Sequence, residues 1–324
     1  MAIVKIRDDK HWRELRLTHI GASEIAALFN ESPHTTVNEL YHIKKGNLTG
    51  AEDTILMAFG RLMEPVIAAL VTEHYQWEMV KCKEYHWHPK YPWLGCTLDY
   101  YCSHPEFGDG IVQIKNVQSF APGWTKETAP NHVELQVQHE LFVTNSAREQ
   151  MGLKPFTWCA IASMHAGNPE DIRVMFRAQD QKVVQHIIKR SSLFWSDLQN
   201  NVEPPLVGAQ DYDHVVDLFK VADESPVEFV DMTESKNADD FEQWCLRYLE
   251  AHANRLASDK LEKEMKARII HAMTINHPAA IRYMVAHTGR VSAHAKLSSN
   301  GALRLTVKEN VTGNDSGIDT SQHI

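Results

Sequence analysis

Asp99 and the tripeptide Gln113-Ile114-Lys115 carry the residue types needed to hold a divalent cation beside a phosphate. Trp93 to Cys102 reads as a strand, His104 to Gly110 as a turn, and Ile111 to Val117 as a second strand, so Asp99 and Gln113 fall on neighbouring strands. Side chains two apart on a strand share a face. Gln113 and Lys115 therefore point into one site while Ile114 points into a core, leaving its carbonyl as a further ligand. Asp99, the Gln113 amide oxygen, the Ile114 carbonyl and water make the oxygen-rich shell that Mg²⁺ prefers. Lys115 beside it would orient or deprotonate a water, or neutralise charge developing on a phosphate. Polar residues two apart on a solvated strand are common, so the surrounding chain has to decide the matter.

That surrounding chain resembles the YqaJ-type viral recombinases, the family of lambda-type phage exonucleases, in five ordered blocks. They are His11-Trp12-Arg13-Glu14-Leu15-Arg16-Leu17 with Gly21-Ala22-Ser23-Glu24-Ile25, then Gly60-Arg61-Leu62-Met63-Glu64-Pro65, Gly95-Cys96-Thr97-Leu98-Asp99, Val112-Gln113-Ile114-Lys115, and Glu134-Leu135-Gln136-Val137-Gln138-His139. The resemblance implies an α/β fold with a restriction-endonuclease-like PD-(D/E)XK core, a central mixed sheet flanked by helices. It implies that Glu64, Asp99 and position 113 hold one or two Mg²⁺ or Mn²⁺ ions, that Lys115 is the catalytic lysine, and that Gln136 meets the reacting phosphate or its water. Arg16 and Ser23 would receive the 5′-phosphate, with Arg61 and Gln138 also against DNA and Met57 as an apolar wedge at the duplex end. A ring-shaped homotrimer and a single-strand annealing recombinase as partner are implied as well. For the phosphate the local chemistry agrees: Gly21-Ala22-Ser23-Glu24 looks like a helix start with Ser as N-cap, and Arg16 adds a forked, permanent donor.

Gln113 departs from the family, which usually carries Glu there. A neutral ligand weakens the hold on Mg²⁺ and raises the pKa of bound water. Three readings follow: a working variant, an engineered inactive form, or a protein that binds DNA ends without cutting. Glu64 and Asp99 keep two carboxylates, which favours retained activity.

Simpler roles compete at each position. Arg16 could pair with Trp12 on a solvated helix face. Glu64, before Pro65, could be a helix-start acid, and its functional role needs Val66, Ile67 and Leu70 to dock the helix on the sheet. Gln136 flanks the buried stripe Val133, Val137 and Leu141, Met57 could be a core methionine, and Asp109 reads as a turn acid.

The 324-residue chain is 43% hydrophobic, enough for a sizeable core and more than one domain. No apolar run reads as long enough to span a bilayer, and Met1 to Trp12 is polar without a signal-peptide core, so a protein of the bacterial host cytoplasm is expected. Five cysteines without a C-x-x-C pair argue against a zinc ribbon, a disulfide framework or an iron–sulfur cluster. His86, His88 and Cys82 have poor spacing for zinc. The net charge of −9 divides into −4 over residues 1–205 and −5 over 206–324, so DNA contact must come from local cations: Arg13, Arg16, Lys44, Lys45, Arg61, Lys115 and Lys126.

Glu203-Pro204-Pro205 reads as the end of a nuclease domain spanning 1–205. Residues 206–310 read as an accessory α+β region: helices over Asn237 to Ala251 and Leu256 to Met273, then a β-meander near Ile281 to Ala286, Val291 to Leu297 and Leu303 to Lys308, with a hairpin turn at Ser299-Asn300-Gly301. Residues 311–324 read as a disordered tail. The expected activity is Mg²⁺-dependent 5′-to-3′ exonucleolysis of linear double-stranded DNA that leaves a 3′ single strand. The rivals are a catalytically weak end-binding scaffold and an endonuclease or defence effector.

Overall fold

The computed structural model describes residues 2–50, 54–119, 121–220, 238–274, 283–287, 291–297 and 303–309. Its elements in order are β1 (Ile3–Lys5), α1 (Asp9–Leu17), α2 (Val37–Lys45), α3 (Ile55–Tyr75), β2 (Glu78–Lys81), β3 (Glu84–Trp87), β4 (Gly95–Thr97), β5 (Tyr100–His104), β6 (Gly108–Val117), α4 (Asn131–Gln150), β7 (Cys159–His165), β8 (Asn168–Arg177), α5 (Gln181–Asn200), α6 (Tyr212–Lys220), α7 (Ala238–Thr274), β9 (Tyr283–His287), β10 (Val291–Leu297) and β11 (Leu303–Glu309). The chain forms two units, Met1–Ser225 and Pro226–Ile324.

In the first unit five strands pair in the order β2-β5-β6-β7-β8. All neighbours are antiparallel except β6 and β7, which α4 connects as a crossover. Period-two alternation along β6 and β7 builds a core on each face. Val112, Ile114, Ala160, Ala162 and Met164 pack with Ile67, Ala68 and Val71 of α3, while Ile111, Cys159 and Ile161 pack with Val133, Val137 and Leu141 of α4. Buried on both faces, β7 reads as an almost unbroken apolar run. The result is a mixed sheet between helices, with a β-hairpin followed by an α-crossover to a parallel strand, the α/β class expected from the sequence. A second sheet, β1-β3-β4, abuts this core.

Several expectations are corrected. The helix α3 runs through Pro65, which sits inside it, so Glu64 is a mid-helix residue and not a helix-start acid. Ile67 docks on the sheet as expected and Leu70 packs beside it, but Val66 is exposed and Ala68 and Val71 complete the contact. Among the described residues α3 is also long and apolar enough to cross a membrane, against the reading that no such run exists; its inward residues Ile67, Ala68 and Val71 lie in the core beneath the sheet. Asp109 belongs to β6, opposite Ser103 of β5, and is not in the turn.

The first unit continues past Glu203-Pro204-Pro205. Thr36 donates to Asp211 (2.5 Å), and His214 and Asn38 bond at 2.8 Å, so the segment leading into α6 is pinned to α2. In the second unit α7 is one 37-residue helix where two were expected; His252-Ala253-Asn254-Arg255 contains neither Gly nor Pro to stop it. The β-meander is present as β9-β10-β11, antiparallel throughout. The Ser299-Asn300-Gly301 turn and the 311–324 tail lie outside the described residues.

Candidate active site

Asp99 stands between β4 and β5, which belong to different sheets, and not within one strand from Trp93 to Cys102. Leu98 before it enters the α4-side core and Tyr100 after it enters the α3-side core, so the chain turns from one layer to the other at the carboxylate. Pairing of β5 with β6 stops at Tyr100–Val112. The next N–H on that edge, from Ile114, donates instead to Asp99 Oδ2 (2.8 Å), and Gln113 Nε2 donates to the same oxygen (2.6 Å). The N–H and C=O of a strand residue point to the same side, so the Ile114 carbonyl faces the gap that β5 leaves.

Lys115 Nζ donates to Gln136 Oε1 (2.8 Å), and Gln136 Nε2 donates to Glu140 Oε1 (2.8 Å) one turn along α4. Glu64 reaches the site from α3 and is bonded by Lys81 of β2, whose ammonium also lies 5.1 Å from the Tyr100 ring centre. The structure thus joins Asp99, Gln113, Ile114, Lys115 and Gln136 at one end of β6, with Glu64 near enough to act on Asp99. Sequence reasoning missed Lys81 and Glu140. Glu140 left a signal, since it lies four residues after Gln136 and beside the buried stripe.

The electrostatics of this cluster are those of surplus negative charge. Burial, then repulsion from Glu64, raises the Asp99 carboxyl to about 6, although Lys115 and the Ile114 N–H pull the other way. Burial and then Asp99 raise Glu140 to about 8 against the opposing pull of Gln136 and Lys115. A divalent cation would relieve both.

The residues fit such an ion. Gln113 Oε1 is buried without a hydrogen-bond partner, a costly state for a carbonyl oxygen unless something else ligates it. With Asp99, Glu64 and the Ile114 carbonyl it makes an all-oxygen donor set for a hard cation. Among the described residues no three His, Cys, Asp or Glu side chains form a ready metal cluster. That matches the amide at position 113, which leaves two acids and two neutral oxygens in the set.

A second charged cluster lies around Glu24. Arg16 Nη2 bonds Glu24 Oε1 (2.7 Å) and Ser23 Oγ (3.3 Å), and its guanidinium lies 4.8 Å from the Trp12 ring centre. Lys44 Nζ bonds Glu24 Oε2 and the Arg16 carbonyl, both at 2.7 Å. Burial alone would raise the Glu24 carboxyl, but Arg16 and Lys44 outweigh it and hold it at about 2. Ser23 does not cap a full helix. The helix after it is a five-residue 3-10 turn, Ile25–Phe29, whose N-cap is Glu24, and the Gly21 N–H is already taken by Glu24 Oε2 (2.7 Å).

The remaining candidates scatter. Gln138 is buried and clamped at both ends, donating to the Ala178 carbonyl (2.9 Å) and accepting from the Asp180 N–H (2.7 Å), away from Lys115. Met57 is exposed on α3, not a core methionine, and Arg61 is exposed three residues before Glu64. Lys44 is only 1% exposed at its side chain, which removes it from the cations open to DNA. His86 Nε2 and Tyr101 Oη bond at 3.1 Å while the Tyr101 hydroxyl donates to Glu84 (2.7 Å), and His88 Nδ1 accepts from the Lys90 and Tyr91 N–H groups. These contacts, with the poor ligand spacing, give them structural roles.

Fold and site together define a mixed α/β sheet between helices with a cluster of buried acids, an amide and a lysine at one end of β6. Residues 11–147 match the model of the YqaJ-like viral recombinase domain. No curated protein matches the chain. Among solved structures, LHK-Exo in complex with dAMP is similar at 17% identity and a TM-score of 0.44, covering 60% of this chain and 94% of its own. The alkaline exonuclease LHK-Exo from Laribacter hongkongensis is similar at 17% identity and a TM-score of 0.41, with the same coverage.

Proposed function

We propose that the first unit is a Mg²⁺-dependent exonuclease that degrades the 5′-ended strand of linear double-stranded DNA and leaves a 3′ single strand. The observation that carries this reading is the convergence of Glu64 from α3, Asp99 from the β4–β5 junction and Lys115 from β6, with the bare Gln113 oxygen among them. Asp99, Glu64, Gln113 Oε1 and the Ile114 carbonyl would hold one or two ions, Mg²⁺ or Mn²⁺. When bound, the ion supplies Lewis acidity toward the scissile phosphate and lowers the pKa of a water. Gln136 fixes the Lys115 ammonium through the 2.8 Å hydrogen bond, and Lys115 in turn orients the attacking water and offsets charge growing on the phosphate oxygens. Glu64, now bonded by Lys81, would exchange that ammonium for the ion.

Arg16 and Ser23, adjacent at 3.3 Å, would receive the 5′-phosphate, with the ammonium of Lys44 left to balance Glu24. Arg61 and Met57, exposed on α3, would meet the duplex end. Assembly as a homotrimer and hand-over of the 3′ strand to a single-strand annealing recombinase in a bacterial cytoplasm belong to the same reading.

A second reading has its own observation. Gln113 spends its amide N–H on Asp99, as it would in a protein that binds ends without hydrolysis. Digestion separates the two. Purified protein with Mg²⁺ is given a linear duplex carrying one 5′-phosphorylated end, and closed circles in parallel. Mononucleotides from the phosphorylated 5′ end with intact circles are expected. Nicked circles would mean an endonuclease, and retention of ends without shortening would mean a scaffold.

A further inference from the structure

Glu140 is 1% exposed on α4, faces the sheet, and forms no ion pair among the described residues. Its recorded hydrogen bond comes from the Gln136 amide, so the carboxylate is bonded into the Lys115–Gln136 pair without an ammonium or guanidinium in contact. Around it lie the thiols of Cys96 and Cys159, both pushed up by burial and by Glu140 itself. Buried carboxyls without a counter-charge are costly, and fold packing gives no return for this one, since Leu141 and Val137 already fill the stripe beside it.

The face of the sheet that Glu140 meets is the one that presents Gln113. Ile111 and Ile161, which flank Gln113 in the α4-side core, define that face, and Gln113 Oε1 is bare within it. An amide thus stands on β6 where the metal chemistry calls for an acid, and an acid stands opposite on α4, in a buried layer shared with Thr144 and the Cys96 and Cys159 thiols. We infer that Glu140, ionised once a cation is bound, supplies the negative charge that Gln113 lacks, acting through Gln136 as a positioning residue that sets the charge balance of the cation site. The inference rests on the metal-dependent reading given above. It assigns Glu140 to the same site and makes Gln113 and Glu140 an exchanged amide–acid pair.

Glu140→Gln tests this cleanly, because a glutamine oxygen still accepts from Gln136 Nε2 and only the capacity to become charged when the cation binds is removed. Mn²⁺ binding is measured by calorimetry on the full chain for the parent protein, Asp99→Asn, Glu140→Gln and the double exchange Gln113→Glu/Glu140→Gln, each checked for folding by its metal-free melting curve. Glu140→Gln should weaken Mn²⁺ by about tenfold or more, as loss of an outer-shell partner does. The double exchange should recover most of that loss, which a purely structural role would not produce. Parent-like affinity in Glu140→Gln, or a double exchange no better than Glu140→Gln, would overturn the inference while leaving the nuclease reading standing. Parent protein that binds no more Mn²⁺ than Asp99→Asn would overturn both. If Glu140→Gln does not fold, the comparison of Gln113→Glu with the parent decides: a gain much above tenfold means that Glu140 was not supplying the charge.

Discussion

The Asp99 and Glu24 clusters solve opposite electrostatic problems. Around Glu24 one carboxylate has two cations, Arg16 and Lys44, and is driven down to about 2 despite its burial. Around Asp99 and Glu140 two buried acids share Lys115, with Lys81 spent on Glu64, and both are driven up, to about 6 and about 8. The first is complete without a ligand. The second is short of positive charge, and the oxygen of Gln113 is bare inside it. Burial is common to both, so the count of counter-charges sets the sign of the shift. Perturbed groups of the second kind mark functional sites, while those of the first kind also occur in purely structural ion pairs.

The comparison is broken most forcefully at Lys115. Lys115→Ala should lower nucleotide release by about 10²- to 10⁴-fold, the range for a positioned proton-transfer or charge-neutralising group, with little change in folding. At the other cluster, Glu24→Gln leaves the buried Lys44 ammonium unpaired and should cost about 3 kcal/mol in urea unfolding. The same contribution depends on pH: it is complete above about 4.5 and fades as the pH falls toward about 2, because the folded carboxyl holds its charge longer than the unfolded one.

The acid-rich cluster should show the reverse slope. Asp99 and Glu140 keep their protons when folded at pH values where the unfolded chain has released them, so metal-free stability declines as the pH rises from about 4 to about 8. Melting curves without metal should therefore fall across that window, and Glu140→Gln should flatten the upper part. The smallest effect is expected at Gln138. Gln138→Ala removes a two-ended clamp and should cost about 1–3 kcal/mol while leaving nucleotide release per folded molecule unchanged. A selective loss of DNA affinity there would restore Gln138 to the DNA-facing set.

Local pattern made Asp99, Gln113 and Lys115 readable, because strand alternation fixes which side chains share a face. Helical period did the same for Gln136 beside Val133, Val137 and Leu141. What local pattern does not contain is the partner brought by tertiary packing. Lys81 meets Glu64 only because β2 lies beside β5 at the sheet edge under α3, and Lys44 was counted as a surface cation because nothing in α2 announces that Glu24 will bury it. Pro65 suggested a helix boundary, yet contacts of Ile67, Ala68 and Val71 with the sheet override that preference. Asp99 read as mid-strand because Gly95 to Cys102 alternates smoothly across a junction between two sheets.

The most direct measurement is nucleotide release from a linear duplex with a 5′-phosphorylated end, in Mg²⁺, by the protein as it stands and by Gln113→Glu in parallel. The account predicts release by both, since Glu64, Asp99 and Lys115 are in place and Gln113 Oε1 is available as a ligand. No release by either protein, with ends still bound, would contradict it.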